Sequence, residues 1–304
     1  MLGLERAARL ASIAARQVQM SSTILVSVLG AAFLHALWNA FVRGAGSGAG
    51  GSRAQVMMVL SGTQGLIGLG LLCFYPWPPA AVWPWLLTGG LIHSAYKLSL
   101  TRAYAHGDLS RVYPLARGTA PLIVLALSAA LLNEVPNRGE VAGLVILGAG
   151  ILLLASGVFT AGENRALLPF AFAAALATAG YTMVDGQGAR VWGLPGAFVA
   201  WMFLLDGIFF ATAMLAIGGR SVLPTSARIW RLGFGGALAS YASYAVAVWA
   251  MTRAPIALVA GLRESSVAFG LLIGWLWFSE PMTKGKALSV AMIVGGIALM
   301  RLQA

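Results

Sequence analysis

Acid and sulfur are scarce in this chain: nine Asp and Glu residues stand against 20 Lys and Arg in 304, with one cysteine, Cys73. A single thiol excludes an intrachain disulfide and any multi-thiolate metal site. Histidine is also rare. His35, His93 and His106 are dispersed, and no HExxH, paired-aspartate or GxSxG pattern occurs, so the sequence is read as neither a metalloenzyme nor a hydrolase, with no metal and no cofactor. No phosphate-binding P-loop is present, which removes ATP as a direct energy source. Only 10% of residues are charged while 59% are apolar, and the mean hydropathy is +0.84. That is too little polar surface to coat a soluble globule, so the chain reads as an all-α integral membrane protein.

What is present is a series of apolar runs long enough to cross roughly 30 Å of hydrocarbon as helices. Ten are read, at 22–42, 53–75, 82–104, 111–133, 138–158, 166–184, 196–217, 229–251, 255–278 and 283–301. Residues 1–20 form a basic tail with Arg6, Arg9 and Arg16. It is read either as an interfacial helix, a mobile tail or a presequence, or as a stretch ahead of a true start at Met20. The net charge of +11 is scattered over loops and span ends, so the lipid bilayer rather than nucleic acid is its expected partner.

An internal repeat orders these runs. Laying 104–158 on 250–304 at a constant shift of 146 pairs Arg117 with Arg263, Glu134 with Glu280, Arg138 with Lys284, Gly139 with Gly285 and Gly150 with Gly296. The units are 21–160 and 161–304. Each holds five spans, an odd number, so the second must enter the membrane from the opposite side, giving ten transmembrane helices in two inverted-topology five-helix repeats. Arg117 and Arg263 each stand inside an apolar run. A cation in lipid costs at least ~2.5 kcal/mol, so the pair implies partners, a wet cavity or an anionic ligand.

The recurring end of spans four and nine, LLNEVPNRGEVAGLVILGAGILLL and FSEPMTKGKALSVAMIVGGIAL, with FLHALWNAFVR in the first span, resembles the EamA family of the drug/metabolite transporter superfamily. The resemblance covers 22–301 and implies two bundles around a central cavity with both termini cytoplasmic, in a bacterial inner membrane. Counting Lys and Arg on loops does not support that orientation, because more fall outside than inside. AYAHGDLSRVYPLARGTAPL at 103–122 also resembles an EamA subgroup associated with phosphonate use. The nucleotide-sugar and triose-phosphate carriers of the superfamily are similar in setting late-span cations against phosphate.

Site residues follow from charge and spacing. Gly89, His93, Lys97 and Thr101 recur every four residues along one helix face. Lys97, Arg117 and His35 have similar depth and are expected to form one cationic shelf, with Arg263 approaching from the opposite side. Pro114 and Pro121 flank Arg117 and would release the carbonyls of Ser110 and Arg117, as a binding-site kink or as a packing kink. Trp38, Asn39, Tyr96, Tyr113 and Tyr244 join His35, His93, Lys97, Arg117 and Arg263 as substrate-binding candidates. Asp206 and Glu264 are the ion-coupling candidates. Against them stands a structural reading, in which Lys97–Glu264 and Arg–Asp206 pairs fix the bundle.

Three intramembrane cations against two acids favour an anionic or zwitterionic substrate, because guanidinium forks match phosphonate, phosphate and carboxylate oxygens bidentately. The expected function is a secondary transporter moving a phosphonate, phosphate ester, carboxylate or amino acid by alternating access, and not an enzyme. A second copy of the chain, forming a homodimer, is a candidate partner. The rivals are a non-transporting membrane receptor or scaffold and, further off, a membrane-embedded enzyme.

Overall fold

The computed structural model describes residues 21–45, 53–106, 117–134, 136–155 and 167–302, and the described residues are helical with no strand. The helices are α1 (Ser22–Ala45), α2 (Arg53–Leu71), α3 (Trp83–His106), α4 (Ala120–Leu132), α5 (Arg138–Ala155), α6 (Leu167–Trp192), α7 (Pro195–Gly218), α8 (Ala227–Met251), α9 (Ile256–Arg263), α10 (Ser265–Phe278) and α11 (Lys284–Leu302). Seven spans among the described residues are long and apolar enough to cross a membrane, namely α1, α2, α6, α7, α8, the α9–α10 unit and α11. α4 is a shorter apolar helix.

The shift of 146 extends beyond the segment in which the sequence displays it. It carries α1 onto α6, α2 onto α7, α3 onto α8, α4 onto α10 and α5 onto α11, with ends agreeing within about one turn. Turn chemistry repeats with it. α4 ends at Asn133 and α10 at Ser279, both left-handed, with φ of 54° and 53°. After each, the amide of the next residue donates back into the helix, Glu134 to the Ser128 carbonyl at 3.2 Å and Glu280 to the Gly274 carbonyl at 3.1 Å. These wider bonds satisfy carbonyls that a helix end leaves open. At the start of α5, Asn137 Oδ1 accepts from the Glu140 amide at 2.9 Å, while Glu140 Oε2 accepts from the Asn137 amide at 2.8 Å, a reciprocal cap. At the start of α11 the equivalent Thr283 hydroxyl accepts from the Lys286 amide at 3.3 Å.

Packing obeys the same exchange. α1 lies against α8 and α3 against α6, one pairing with the halves swapped; α2 meets α7, and α5 meets α11. Each repeat therefore closes its core on the other. At the α5–α11 crossing, a methyl group on Gly143 would come within 2.5 Å of the Gly296 carbonyl, and one on Gly296 within 2.5 Å of the Gly143 carbonyl. Small residues in lipid serve this close approach.

Two expected spans differ from the sequence reading. The sixth was expected to end at 184, but α6 continues to Trp192 and so takes Asp185 into the bundle. The ninth is broken at Glu264, between α9 and α10. Pro121 falls in the first turn of α4, where its missing N–H costs no helix bond, so it starts this helix rather than kinking one.

Candidate functional site

Among the described residues three Lys and Arg side chains are buried, Lys97, Arg117 and Arg263, and two of them have carboxylate partners. Lys97 Nζ on α3 donates to Asp206 Oδ2 at 2.5 Å, to Ser61 Oγ at 2.8 Å and to Gln64 Oε1 at 3.3 Å. Asp206 on α7 takes a further bond from Ser94 Oγ at 3.0 Å. Arg117 engages Glu264 with two prongs, Nε to Oε2 at 3.0 Å and Nη2 to Oε1 at 2.6 Å. The pairs are thus Lys97–Asp206 and Arg117–Glu264, with partners exchanged relative to the sequence reading. Of the residues expected in one cationic shelf, Lys97 is drawn into the α2–α3–α7 network and Arg117 reaches across to Glu264 at the α9–α10 break.

Arg263 is the third cation, with 4% of its surface exposed. Among the described residues no carboxylate pairs with it, and its Nε is buried without a hydrogen-bond partner. Its guanidinium carbon lies 5.0 Å from the centre of the Tyr244 ring, a cation–π contact that holds the group in place without neutralising it. The repeat explains why. Glu264 serves Arg117 across the interface, and the residue that would return the service is Gly118, which the shift of 146 places opposite Glu264. The first repeat lacks the acid.

Asp185 changes the charge count. It is fully buried on α6, and its Oδ2 accepts from His93 Nε2 at 2.7 Å and from the Tyr244 hydroxyl at 2.6 Å. Among the described residues Asp185 thus joins Asp206 and Glu264 as a buried acid within the expected bundle. Ending the sixth span at 184 hid this residue. One signal was available, since the shift of 146 puts Asp185 opposite Asn39, itself a candidate.

The remaining candidates divide. His35 on α1 lies within electrostatic reach of Arg117 and Arg263. It accepts from Trp38 Nε1 at its Nδ1, at 3.1 Å, and its carbonyl accepts from Asn39 Nδ2 at 2.7 Å. Its Nε2 is buried with no hydrogen-bond partner among the described residues. His93 stacks on Tyr181 at 4.0 Å between ring centres, and Tyr96 meets Tyr181 edge-on at 5.6 Å. Tyr113 and Pro114 lie outside the described residues.

A second cluster, which charge spacing alone did not suggest, sits at the signature glutamate. Glu134 forms an ion pair with Arg190 at the end of α6, and its Oε2 accepts from the Ile256 amide at 3.0 Å. Arg190 also donates to the Met251 carbonyl at 2.8 Å and the Ala254 carbonyl at 2.9 Å. This clasp ties the end of α4, the end of α6 and the α8–α9 connection together, and gives the Glu of the Glu-x-x-x-Arg/Lys-Gly pattern a physical role.

A family model described as the EamA-like transporter family matches residues 22–156 and, separately, 166–302. The chain belongs to the EamA-like transporter family. The two matches coincide with the two repeats, and membership makes this a membrane transporter of the drug/metabolite type, in a family of transporters rather than enzymes. A solved crystal structure superposes with a TM-score of 0.70 at 23% identity, over 93% of this chain and 99% of its own. At that identity the similarity is one of fold. No curated protein matches the sequence.

Proposed function

We propose that this EamA-like transporter is a secondary carrier, working by alternating access, for a small metabolite bearing a phosphonate, phosphate or carboxylate group. Arg263 is the residue that receives that group. One observation carries the reading: of three buried cations, Arg263 alone has no carboxylate partner among the described residues, and the position reciprocal to Glu264 is Gly118, which offers no acid. Glu264, bonded to Arg117, reaches Arg263 only through space, and a guanidinium with no carboxylate bonded to it in a low-dielectric interior is costly unless an anion visits it. His35, with an unpartnered Nε2, is placed to contribute a second contact. Arg117, saturated by Glu264 along two of its prongs, holds the broken α9–α10 element in position.

The reading includes ten spans in two inverted five-span repeats, with both termini cytoplasmic in an inner membrane. The exchange-symmetric packing supports two equivalent units that rock against each other, as inverted-repeat carriers do. The balance of three acids and three cations keeps a zwitterion, such as an amino acid, within the substrate class.

A thermal-shift screen of purified protein tests this, using methylphosphonate, glycerol 3-phosphate, succinate and glutamate beside neutral and cationic controls. A compound at 100 times its dissociation constant stabilises by about 2.7 kcal/mol. At least one of the four anions should do so and should enter vesicles containing the protein. Stabilisation by cations alone, or binding without entry, rejects the proposal; the latter outcome is that of a receptor.

A further inference from the structure

Asp185 is the one carboxylate in the described helix interiors that no lysine or arginine neutralises. Asp206 has Lys97 and Glu264 has Arg117. Asp185 instead has a histidine and a tyrosine, both on Oδ2. Its Oδ1 is buried with no hydrogen-bond partner among the described residues. A methyl group on Gly89 would come within 2.4 Å of Oδ1, so the α3 backbone covers that oxygen closely.

We propose that His93 and Asp185 form a proton-binding site, read by Arg263 through Tyr244, so that the carrier moves its anionic substrate together with a proton. This rests on the reading of Arg263 as the anion's anchor. With Nε2 directed at the carboxylate, neutral His93 carries its proton there and leaves Nδ1 as the basic nitrogen. A proton arriving at Nδ1 converts the ring to a cation that Asp185 already faces at 2.7 Å. No bond breaks and no heavy atom has to move.

The charges facing the pair come from every neighbouring element. α3 contributes Lys97, which Asp206 of α7 neutralises, and α6 contributes Tyr181, stacked on the ring. α8 supplies Tyr244, bonded to both members of the pair, and α9 supplies Arg263 over the Tyr244 ring, with Glu264 following it in sequence. Unprotonated, the His93–Asp185 pair carries one negative charge, a single tyrosine away from Arg263. That charge offsets the guanidinium's potential and polarises the hydroxyl of the ring on which the guanidinium rests. Protonated, the pair is neutral, and Arg263 presents its full charge to an anion. Proton and anion therefore favour each other's binding, and by linkage the coupling acts in both directions.

Nitrogen-15 NMR of histidine-labelled protein in nanodiscs tests the site directly. The chain has three histidines, and His93→Gln identifies the signal of interest. The expected result is a His93 ring that is singly protonated at the alkaline end and doubly protonated at the acid end of about pH 5 to 8, the range in which histidine switches. Asp185→Asn keeps the shape but not the charge, and should abolish the doubly protonated form over that range. A wild-type ring unchanged throughout, or an Asp185→Asn protein that titrates like the wild type, overturns the proposal. A second arm places methylphosphonate, glycerol 3-phosphate, succinate or glutamate outside vesicles holding a pH-sensitive dye. Entry of any of them should acidify the lumen with wild-type protein and not with Asp185→Asn. Entry without acidification in the wild type overturns the coupling and leaves Arg263 as anchor. A His93 that titrates as expected in a protein that moves none of the four establishes the proton site and removes the Arg263 reading.

Discussion

Arg117 and Arg263 occupy the same position in two copies of one repeat, yet their surroundings differ by one carboxylate. Arg117 is held by both oxygens of Glu264, whereas Arg263 rests on the face of Tyr244 and has no acid of its own among the described residues. The difference traces to one pair of equivalent positions, Gly118 and Glu264. A repeated arginine whose reciprocal position holds no acid is a buried cation without a bonded carboxylate. In the proposed reading the first half braces the bundle and the second half presents the charge.

The comparison breaks most visibly at Arg117. Arg117→Gln should destabilise the purified protein by up to about 3–5 kcal/mol, because Glu264 would lose its bonded counter-charge and keep only the through-space attraction of Arg263. Adding Glu264→Gln should recover much of that loss, and thermal unfolding of the two variants checks both points. A single variant as stable as the wild type would remove the bracing role.

The clasp should give a smaller effect, since its side chains are partly exposed, 26% for Arg190 and 20% for Glu134. Glu134→Ala leaves the Ile256 amide unpaired, at a cost of roughly 1–3 kcal/mol. Faster hydrogen exchange at the α8–α9 connection is the expected signature. Unchanged exchange there would show that the clasp does not hold the connection.

Glycines supply the finest contrast. Gly143→Ala places a methyl 2.5 Å from the Gly296 carbonyl and should cost about 1–3 kcal/mol by overpacking. Gly295→Ala, with nothing within 4 Å of its added methyl, should be neutral to about 0.5 kcal/mol. Equal effects of the two would mean that the α5–α11 crossing is looser than its backbone spacing indicates.

Much of the fold was legible because the repeat is written in residue types that geometry demands. Glu134 and Glu280 follow left-handed turns, and the paired arginines mark equivalent helix positions. The break at Glu264 falls on the polar stretch Arg-Glu-Ser-Ser at 263–266, but the apolar residues on either side together make one span length, so the sequence reads as continuous. Pairings across the bundle were harder still. Helical spacing tells which residues share a face but not which face meets which, so Lys97 could not be assigned to Asp206, nor Arg117 to Glu264. Asp185 was lost to a boundary: a run that ends in VDGQGAR reads as leaving the membrane, yet α6 continues two turns further because His93, Tyr244 and Gly89 accommodate the acid.

The most direct test of the central claim compares Arg263→Lys, Arg263→Gln and Arg117→Gln in binding whichever of methylphosphonate, glycerol 3-phosphate, succinate and glutamate the wild type binds, by calorimetry on purified protein. Loss of a charge-assisted bond is worth about 1.5–3 kcal/mol, or roughly 10–150-fold in affinity. Arg263→Gln should weaken binding by that factor with little change in stability. Arg263→Lys should fall between it and the wild type, because the charge remains while the planar fork is lost. Arg117→Gln should lose stability first. If Arg263→Gln instead binds as tightly as the wild type while its stability collapses, Arg263 is as structural as its counterpart, and the assignment of the anion site to the second repeat is wrong.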